Sequence, residues 1–287
     1  ALSRNSDLFI LNHPEFDHNS IEYINGDIKN FKFPEQHIDY VIHAATDANI
    51  NLIINEPLNI YNTIVDGTKH VLELAENKKV KSLLYISSGA VYGKQPSTLT
   101  HVPEDFTGSP NVYDKDSAYG EGKRVAEMLC SVYNKQYDVN SKIARCYSFV
   151  GPHLPLDAHF AIGNFIEDVL KNRQIKIHGD GSPYRAYLYT ADLFIWLLTI
   201  LFEGKTCHPY NVGSDEAIDL EDLANTVNTF SENKLKIEIM KSRMEGYPSR
   251  YVPSINNAKQ DLGLKVYTNL KDAIDRTIQF HQIKNLK

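Results

Sequence analysis

The sequence predicts an α/β chain in which a doubly wound parallel sheet is followed by a smaller, partly interleaved C-terminal α/β lobe. Three observations carry that expectation. Short apolar runs that read as buried strands alternate with long segments of helical period. Strands separated by helices of that length make parallel sheets. The composition, 42% hydrophobic and 23% charged over 287 residues, supplies enough apolar surface for a sizeable core and argues against disorder.

The elements follow in order. His37–Ala45 (HIDYVIHAA) reads as a buried strand, and Lys81–Ser87 (KSLLYIS) as the next. Between them, Ile60, Ile64, Val71, Leu72, Leu74 and Ala75 fall largely on one stripe, so Pro57–Asn77 reads as a helix. Ser117–Tyr133 reads as a second helix, with Ala126, Leu129, Cys130 and Tyr133 inward, and Ser141–Phe149 as the strand after it. Past Gly151 and Pro152 the texture changes. Helices are expected at Phe160–Lys171, Ala191–Glu203, Leu220–Phe230 and Leu270–His281, interleaved with short strands at Gln174–His178, Arg185–Tyr189, Pro209–Val212 and Lys234–Met240. This divides the chain into a domain over 1–150 and a lobe over 151–287, some of whose segments return to the core. Ligands on such sheets bind beyond the carboxyl ends of the strands, which places the residues just after Ala45, Ser87 and Phe149 on the functional edge.

A net charge of −6 argues against a nucleic-acid partner, which favours a basic face. It does not exclude a phosphorylated small molecule, which needs only one or two local arginines. Cys130, Cys146 and Cys207 are far apart and in no metal-ligand spacing, so a reduced, cytoplasmic compartment is expected. The longest apolar run, Leu193–Phe202, is about half a membrane span and reads as a buried helix, and no secretory signal is expected. His43, His159 and His178 are isolated and read as structural or surface residues, with no metal site expected.

The chemistry centres on Ser88, Tyr119 and Lys123. Tyr119 and Lys123, in Y-G-E-G-K, stand four apart, which puts them on one helical face. A free tyrosine, with a pKa of about 10, is a poor base at neutral pH; a neighbouring ammonium favours the phenolate. Such a pair can take a proton from an alcohol while hydride leaves the same carbon. Ser88 directly follows the strand KSLLYIS, so its hydroxyl lies on the ligand edge and can orient the substrate oxygen.

At these residues the sequence resembles the extended short-chain dehydrogenase/reductases of the NAD-dependent epimerase/dehydratase branch, whose fold is Rossmann-like. The matching pieces are G-D-I at Gly26–Ile28, H-A-A-T at His43–Thr46, V-D-G-T at Val65–Thr68, S-S-G-A-V-Y-G at Ser87–Gly93, Y-G-E-G-K at Tyr119–Lys123, R-C-Y-S-F-V-G-P at Arg145–Pro152, G-D-G-S-P-Y-R at Gly179–Arg185 and Y-T-A-D-L at Tyr189–Leu193. The resemblance implies a catalytic trio of Ser88, Tyr119 and Lys123, with Lys123 also bonding the nicotinamide ribose. It implies Asp27 and Ile28 beside the adenine, and Ala44, Ala45, Thr46 and Ser87 close to the cofactor. Ser148 stands where many relatives carry a substrate-binding asparagine. Arg185 matches an arginine that contacts the nucleotide diphosphate, and Arg250 is a candidate second clamp; the planar guanidinium fork suits phosphate oxygens. A nucleotide-diphosphate sugar substrate and a homodimer built on the helices Pro57–Asn77 and Ser117–Tyr133 follow from the same resemblance.

Three departures shape the functional expectation. Relatives open with a strand and a G-x-x-G-x-x-G loop that holds the pyrophosphate; here the first residues look like the end of a second strand, so an N-terminally incomplete chain, short of about 30 residues or more, is expected. That second strand normally ends in an acidic residue favouring NAD, whereas Ser3 and Arg4 stand here, and Arg4 leans toward the 2′-phosphate of NADP. Sugar 4,6-dehydratases of the family place an Asp-Glu pair after the catalytic Ser or Thr; Gly89 and Ala90 replace it, leaving Glu104, Asp105 or His159 as other acid/base sources. The expected function is therefore an NAD(P)-dependent nucleotide-sugar epimerase or 4-ketoreductase. The alternatives are a dehydratase or decarboxylase on the same scaffold, and a non-catalytic dinucleotide-sensing protein.

Overall fold

The computed structural model describes residues 1–46, 50–158, 160–243 and 246–285. One unit of the fold takes in Ala1–Val91, Pro110–Ile143 and Lys205–Cys207. Along it run β1 (Leu2–Ser3), α1 (Ser6–Asn12), β2 (Ile24–Asn25), β3 (Tyr40–His43), α2 (Ile50–Asn55), α3 (Pro57–Lys78), β4 (Ser82–Ser88), α4 (Ala118–Tyr137) and the start of β5 (Ser141–Cys146). β1 pairs in parallel with β2, and β3 in parallel with β4, in the register Tyr40↔Ser82 to His43↔Tyr85. The order β5–β4–β3 makes β4 a central strand, and its near-continuous burial accounts for the unbroken run SLLYIS.

Helix α3 starts with Pro57 in its first turn, where a missing N–H costs nothing, and ends at Lys79 in the left-handed conformation, φ 52°. It buries Ile60, Ile64, Val71, Leu72 and Ala75 at helical spacing, and α4 buries Ala126, Cys130 and Tyr133 in the same core. Each fully buried leucine or isoleucine there contributes roughly 1.5–3 kcal/mol. Gly67 sets the approach of α3 to the loop after β2: a Cβ there would stand 2.8 Å from Ile28 Cγ2.

The other unit takes in Tyr92–Ser109, Ala144–Gly204 and His208–Lys287. It holds the end of β5, then β6 (Ser148–Val150), α5 (Ala161–Leu170), β7 (Ile175–Ile177), β8 (Tyr184–Arg185), β9 (Tyr187–Tyr189), α6 (Thr190–Glu203), β10 (Pro209–Val212), β11 (Ile218–Asp219), α7 (Leu220–Asn228), β12 (Ile237–Ile239), β13 (Arg250–Tyr251), α8 (Asn256–Leu262) and α9 (Leu270–Asn285). β6 pairs with β9, β12 with β7, and β8 lies between β11 and β13. Phe165, Ile166, Ile175, Leu223, Val227 and Ile274 form its core. Asp192, singled out within Y-T-A-D-L, is a buried tie: its carboxylate accepts the N–H groups of Tyr267 and Thr268, both at 2.8 Å, and the Thr268 hydroxyl at 3.0 Å.

Several element boundaries differ from expectation. The single strand expected over Ser141–Phe149 is two, β5 and β6, because the Tyr147 N–H bonds Val212 while Ser148 onward pairs with β9. The strand expected over Arg185–Tyr189 likewise splits into β8 and β9. Helix α4 runs four residues past Tyr133, to Tyr137, before Asp138 turns left-handed at φ 58°. Among the described residues no helix is long and apolar enough to cross a membrane.

Candidate active site

Strand β4 delivers Ser88 to its carboxyl end, where the serine Oγ accepts the Ala90 N–H at 3.2 Å and stands largely buried. Helix α4 carries Tyr119 and Lys123 on one face. Gly120 lets the first turn of α4 close on the loop after Ser88: a Cβ there would lie 2.7 Å from Pro110 Cγ and 2.9 Å from the Ala90 carbonyl oxygen. Glycine at this position is thus a packing requirement rather than a conformational one.

Lys123 is only 3% exposed. Its ammonium donates to the Ile86 carbonyl, two residues before Ser88 on β4, at 2.8 Å, and to Thr46 Oγ1 at 3.2 Å. It lies 5.8 Å from the Tyr119 ring centroid and 5.1 Å from that of Tyr85, within the range of cation–π attraction. The arrangement puts a fixed positive charge beside a half-buried phenol, as proton abstraction from an alcohol requires.

Candidate residues from three separate stretches of sequence meet in one cavity of about 390 Å³ in the same unit. Arg4, Asp27, Ile28, Ala44, Ala45 and Thr46 all line it. Its size falls within the range of small-molecule sites, roughly 300–1,000 Å³. Asp27 is partly engaged locally: Oδ1 accepts the Lys29 N–H at 2.9 Å. Ser87 is not among the lining residues. Its hydroxyl donates to Glu127 Oε1 on α4 at 2.5 Å. Glu127 escaped the sequence reading, although it stands four residues beyond Lys123 on the same helical face.

In the other unit, the candidate substrate residues lie on short strands. Arg185 is on β8 and Arg250 on β13, which pair in parallel with Arg250 opposite Tyr184 and Tyr251 opposite Arg185. The two arginines, distant in sequence, are therefore backbone neighbours, but the pleat sends their side chains to opposite faces. The Arg250 guanidinium rests 4.0 Å from the Tyr184 ring centroid, and Arg185 Nη1 donates to the Tyr184 carbonyl at 2.8 Å. Ser148 is half-buried on β6, opposite Tyr187. The Tyr147 ring before it stacks on Tyr251 at 4.5 Å. Burial pushes the Tyr147 phenol pKa up, and its hydroxyl has no hydrogen-bond partner among the described residues.

Glu104 is committed elsewhere. Its carboxylate is buried and accepts the Asn211 N–H at 2.9 Å; the Asn211 side chain in turn accepts the Tyr92 hydroxyl at 2.9 Å, and Arg145 donates to that hydroxyl at 2.7 Å. Burial raises the Glu104 pKa, opposed by the Asn211 bond and the Arg145 charge. These contacts make Glu104 a structural tie. Asp105 is exposed, and His159 lies outside the described residues.

The chain matches the model of the NAD dependent epimerase/dehydratase family over residues 2–213. Among curated relatives, UDP-glucuronic acid decarboxylase 1 of Danio rerio is 28% identical over 274 residues, covering 93% of this chain and 64% of that protein. UDP-glucuronic acid decarboxylase 3 of Arabidopsis thaliana is 29% identical over 265 residues, covering 92% and 74%. The chain thus spans just under two thirds of the zebrafish relative's length. Among solved structures, the UDP-glucose 4-epimerase of Thermotoga maritima with UDP-glucose superposes with a TM-score of 0.82 at 21% identity, over 100% of this chain and 91% of that one. The dTDP-glucose 4,6-dehydratase of Streptomyces venezuelae with NAD superposes with a TM-score of 0.80 at 20% identity, over 96% and 84%. These superpositions establish the α/β doubly wound fold expected from the sequence.

Proposed function

We propose a function from one premise: the chain belongs to the NAD dependent epimerase/dehydratase family. On that premise it oxidises and reduces a hydroxyl carbon of a nucleotide-diphosphate sugar, as an epimerase or a 4-ketoreductase. The observation that carries this reading is the Lys123 ammonium, buried and bonded to Ile86 and Thr46 beside Tyr119. Tyr119 takes the sugar hydroxyl proton as a phenolate held by that charge, and Ser88 orients the oxygen. In an epimerase Tyr119 returns the proton after the ketone has presented its other face. A nicotinamide dinucleotide held in this unit would supply the hydride chemistry.

The residues fit a dinucleotide. The cavity brings Asp27 and Ile28, suited to an adenosine, to the same wall as Ala44, Ala45 and Thr46, which lead to Lys123. Small side chains at Ala44 and Ala45 leave the backbone open to phosphates. We read this unit as the cofactor domain and the other as the substrate lobe, with Ser148 and Arg185 serving the nucleotide sugar; Arg250, on the opposite face of the β8–β13 pair and against the Tyr184 ring, is not read as a second clamp. The family points to NAD; exposed Arg4 on the cavity wall supports NADP as the finer choice. A cytoplasmic homodimer, paired through α3 and α4, is part of the same reading. Exposed apolar side chains at Leu58, Met128 and Val132 on those helices support it.

A second reading, UDP-glucuronic acid decarboxylation, is favoured by the names of the curated relatives. Gly89 and Ala90 count heavily against a dehydratase, which needs a base after the ketone forms, but less against a decarboxylase, because a β-keto acid loses CO₂ without one. One experiment separates these. The full chain is incubated with UDP-glucose, UDP-glucuronic acid or a UDP-4-keto sugar and each cofactor, and products are separated by chromatography and their masses measured. An isomer without net cofactor change marks an epimerase, net consumption of reduced cofactor on a 4-keto sugar a reductase, and loss of CO₂ a decarboxylase. Turnover unaffected by Tyr119→Phe would sink every version of the reading.

A further inference from the structure

Two sequence pieces, H-A-A-T and V-D-G-T, meet in one hydrogen bond behind the reacting pair. His43 Nε2 and Thr68 Oγ1 stand 2.9 Å apart, both buried. The other ring nitrogen, Nδ1, is buried without a hydrogen-bond partner among the described residues. The His43 ring lies 5.5 Å from that of Tyr85, the same ring that the Lys123 ammonium approaches. Burial first, and the Lys123 charge second, lower the His43 pKa to about 3, so the imidazole stays neutral near pH 7. Three residues on, at the cavity wall, Thr46 accepts a hydrogen bond from Lys123.

We infer that Thr46 is a positioning residue for Lys123: its hydroxyl, placed at the end of β3 by the His43–Thr68 bond, fixes the ammonium beside Tyr119. A lysine carries its charge on a flexible four-carbon stem, and a buried ammonium goes where acceptors are. The Ile86 carbonyl anchors it along β4, and the Thr46 hydroxyl is a further point that holds it on the cavity side. A neutral His43 adds no competing charge. The inference rests on the proposed roles of Tyr119 and Lys123.

The test uses Thr46→Val, nearly isosteric but without the hydroxyl, with Thr46→Ala as a second variant and Thr46→Ser as the rescue. The Tyr119 phenol is titrated by ultraviolet phenolate absorbance, as the difference between each protein and its Tyr119→Phe counterpart. Thr46→Val and Thr46→Ala should raise that titration midpoint by about one pH unit. They should also lower turnover about tenfold, as expected for one bond to a charged group. Thr46→Ser should restore both; because Thr46 lines the cofactor cavity, cofactor affinity is followed by nicotinamide fluorescence and turnover is compared at saturating cofactor. An unmoved midpoint, or a loss carried wholly by weaker cofactor binding, overturns the inference and leaves the reading of Tyr119 intact. Full turnover in Tyr119→Phe would instead overturn that reading itself.

Discussion

Two glycines in α4, two residues apart, should respond to alanine in opposite ways. Both sit in a helix, where alanine is intrinsically favoured over glycine by about 1 kcal/mol. At Gly122 the added Cβ would meet Ile64 side-chain atoms at 3.4–3.5 Å, ordinary van der Waals contact. Gly122→Ala should therefore stabilise the chain by up to about 1 kcal/mol and leave turnover unchanged. At Gly120 the added Cβ would stand 2.7 Å from a proline ring and 2.9 Å from the Ala90 carbonyl oxygen. Neither is the far end of a flexible side chain, so α4 or the loop must shift. Overpacking costs about 1–3 kcal/mol, which the helix gain offsets only in part, leaving a net loss of roughly 0–2 kcal/mol. On the proposed roles of Tyr119 and Ser88, the larger consequence is catalytic. The shift separates Tyr119 from Ser88, and a displacement of about 1 Å costs on the order of a hundredfold in rate. Urea unfolding gives the first quantity and turnover at saturating substrate the second. If Gly120→Ala stabilised the chain as much as Gly122→Ala and kept its turnover, the packing account of the trio would be wrong.

Two further predictions concern charge. His43 has a depressed folded pKa, about 3 against 6.5, so between those values the unfolded chain binds the proton and the native one does not. Its contribution to stability is complete above about pH 6.5 and falls as pH drops toward 3, by up to about 1.4 kcal/mol per pH unit. Urea unfolding between about pH 4 and 6 should show this slope, and His43→Phe should flatten it; equal slopes would refute a neutral buried imidazole. Arg185→Lys should raise KM for the nucleotide sugar about tenfold with kcat nearly kept, since a lysine cannot make a bidentate phosphate contact. An unchanged KM would leave Arg185 with only its bond to the Tyr184 carbonyl.

The elements that carry the trio were legible because they are long and buried. β4 is apolar on both faces, and α3 and α4 hold a helical stripe over several turns. Legibility failed where a strand changes partners. Nothing in the hydropathy of Ser141–Phe149 reveals that Tyr147 bonds β10 while Ser148 pairs with β9. Strands of two residues, such as β8 and β13, have no period to read, so the adjacency of Arg185 and Arg250 is purely a tertiary fact. The packing role of Gly120 and the turn of Ser87 onto Glu127 were hidden for the same reason. Each depends on what lies across an interface rather than along the chain.

The central claim is that this chain passes hydride from a sugar carbon while Tyr119 takes the hydroxyl proton. The most direct measurement mixes the full chain with oxidised cofactor and a nucleotide sugar and follows the absorbance of reduced nicotinamide in a single turnover. The account predicts that reduced nicotinamide forms, and that Tyr119→Phe binds both ligands but forms it at least about a hundredfold more slowly. Reduced nicotinamide formed equally fast in Tyr119→Phe, or none formed by the native chain with both ligands bound, would contradict it.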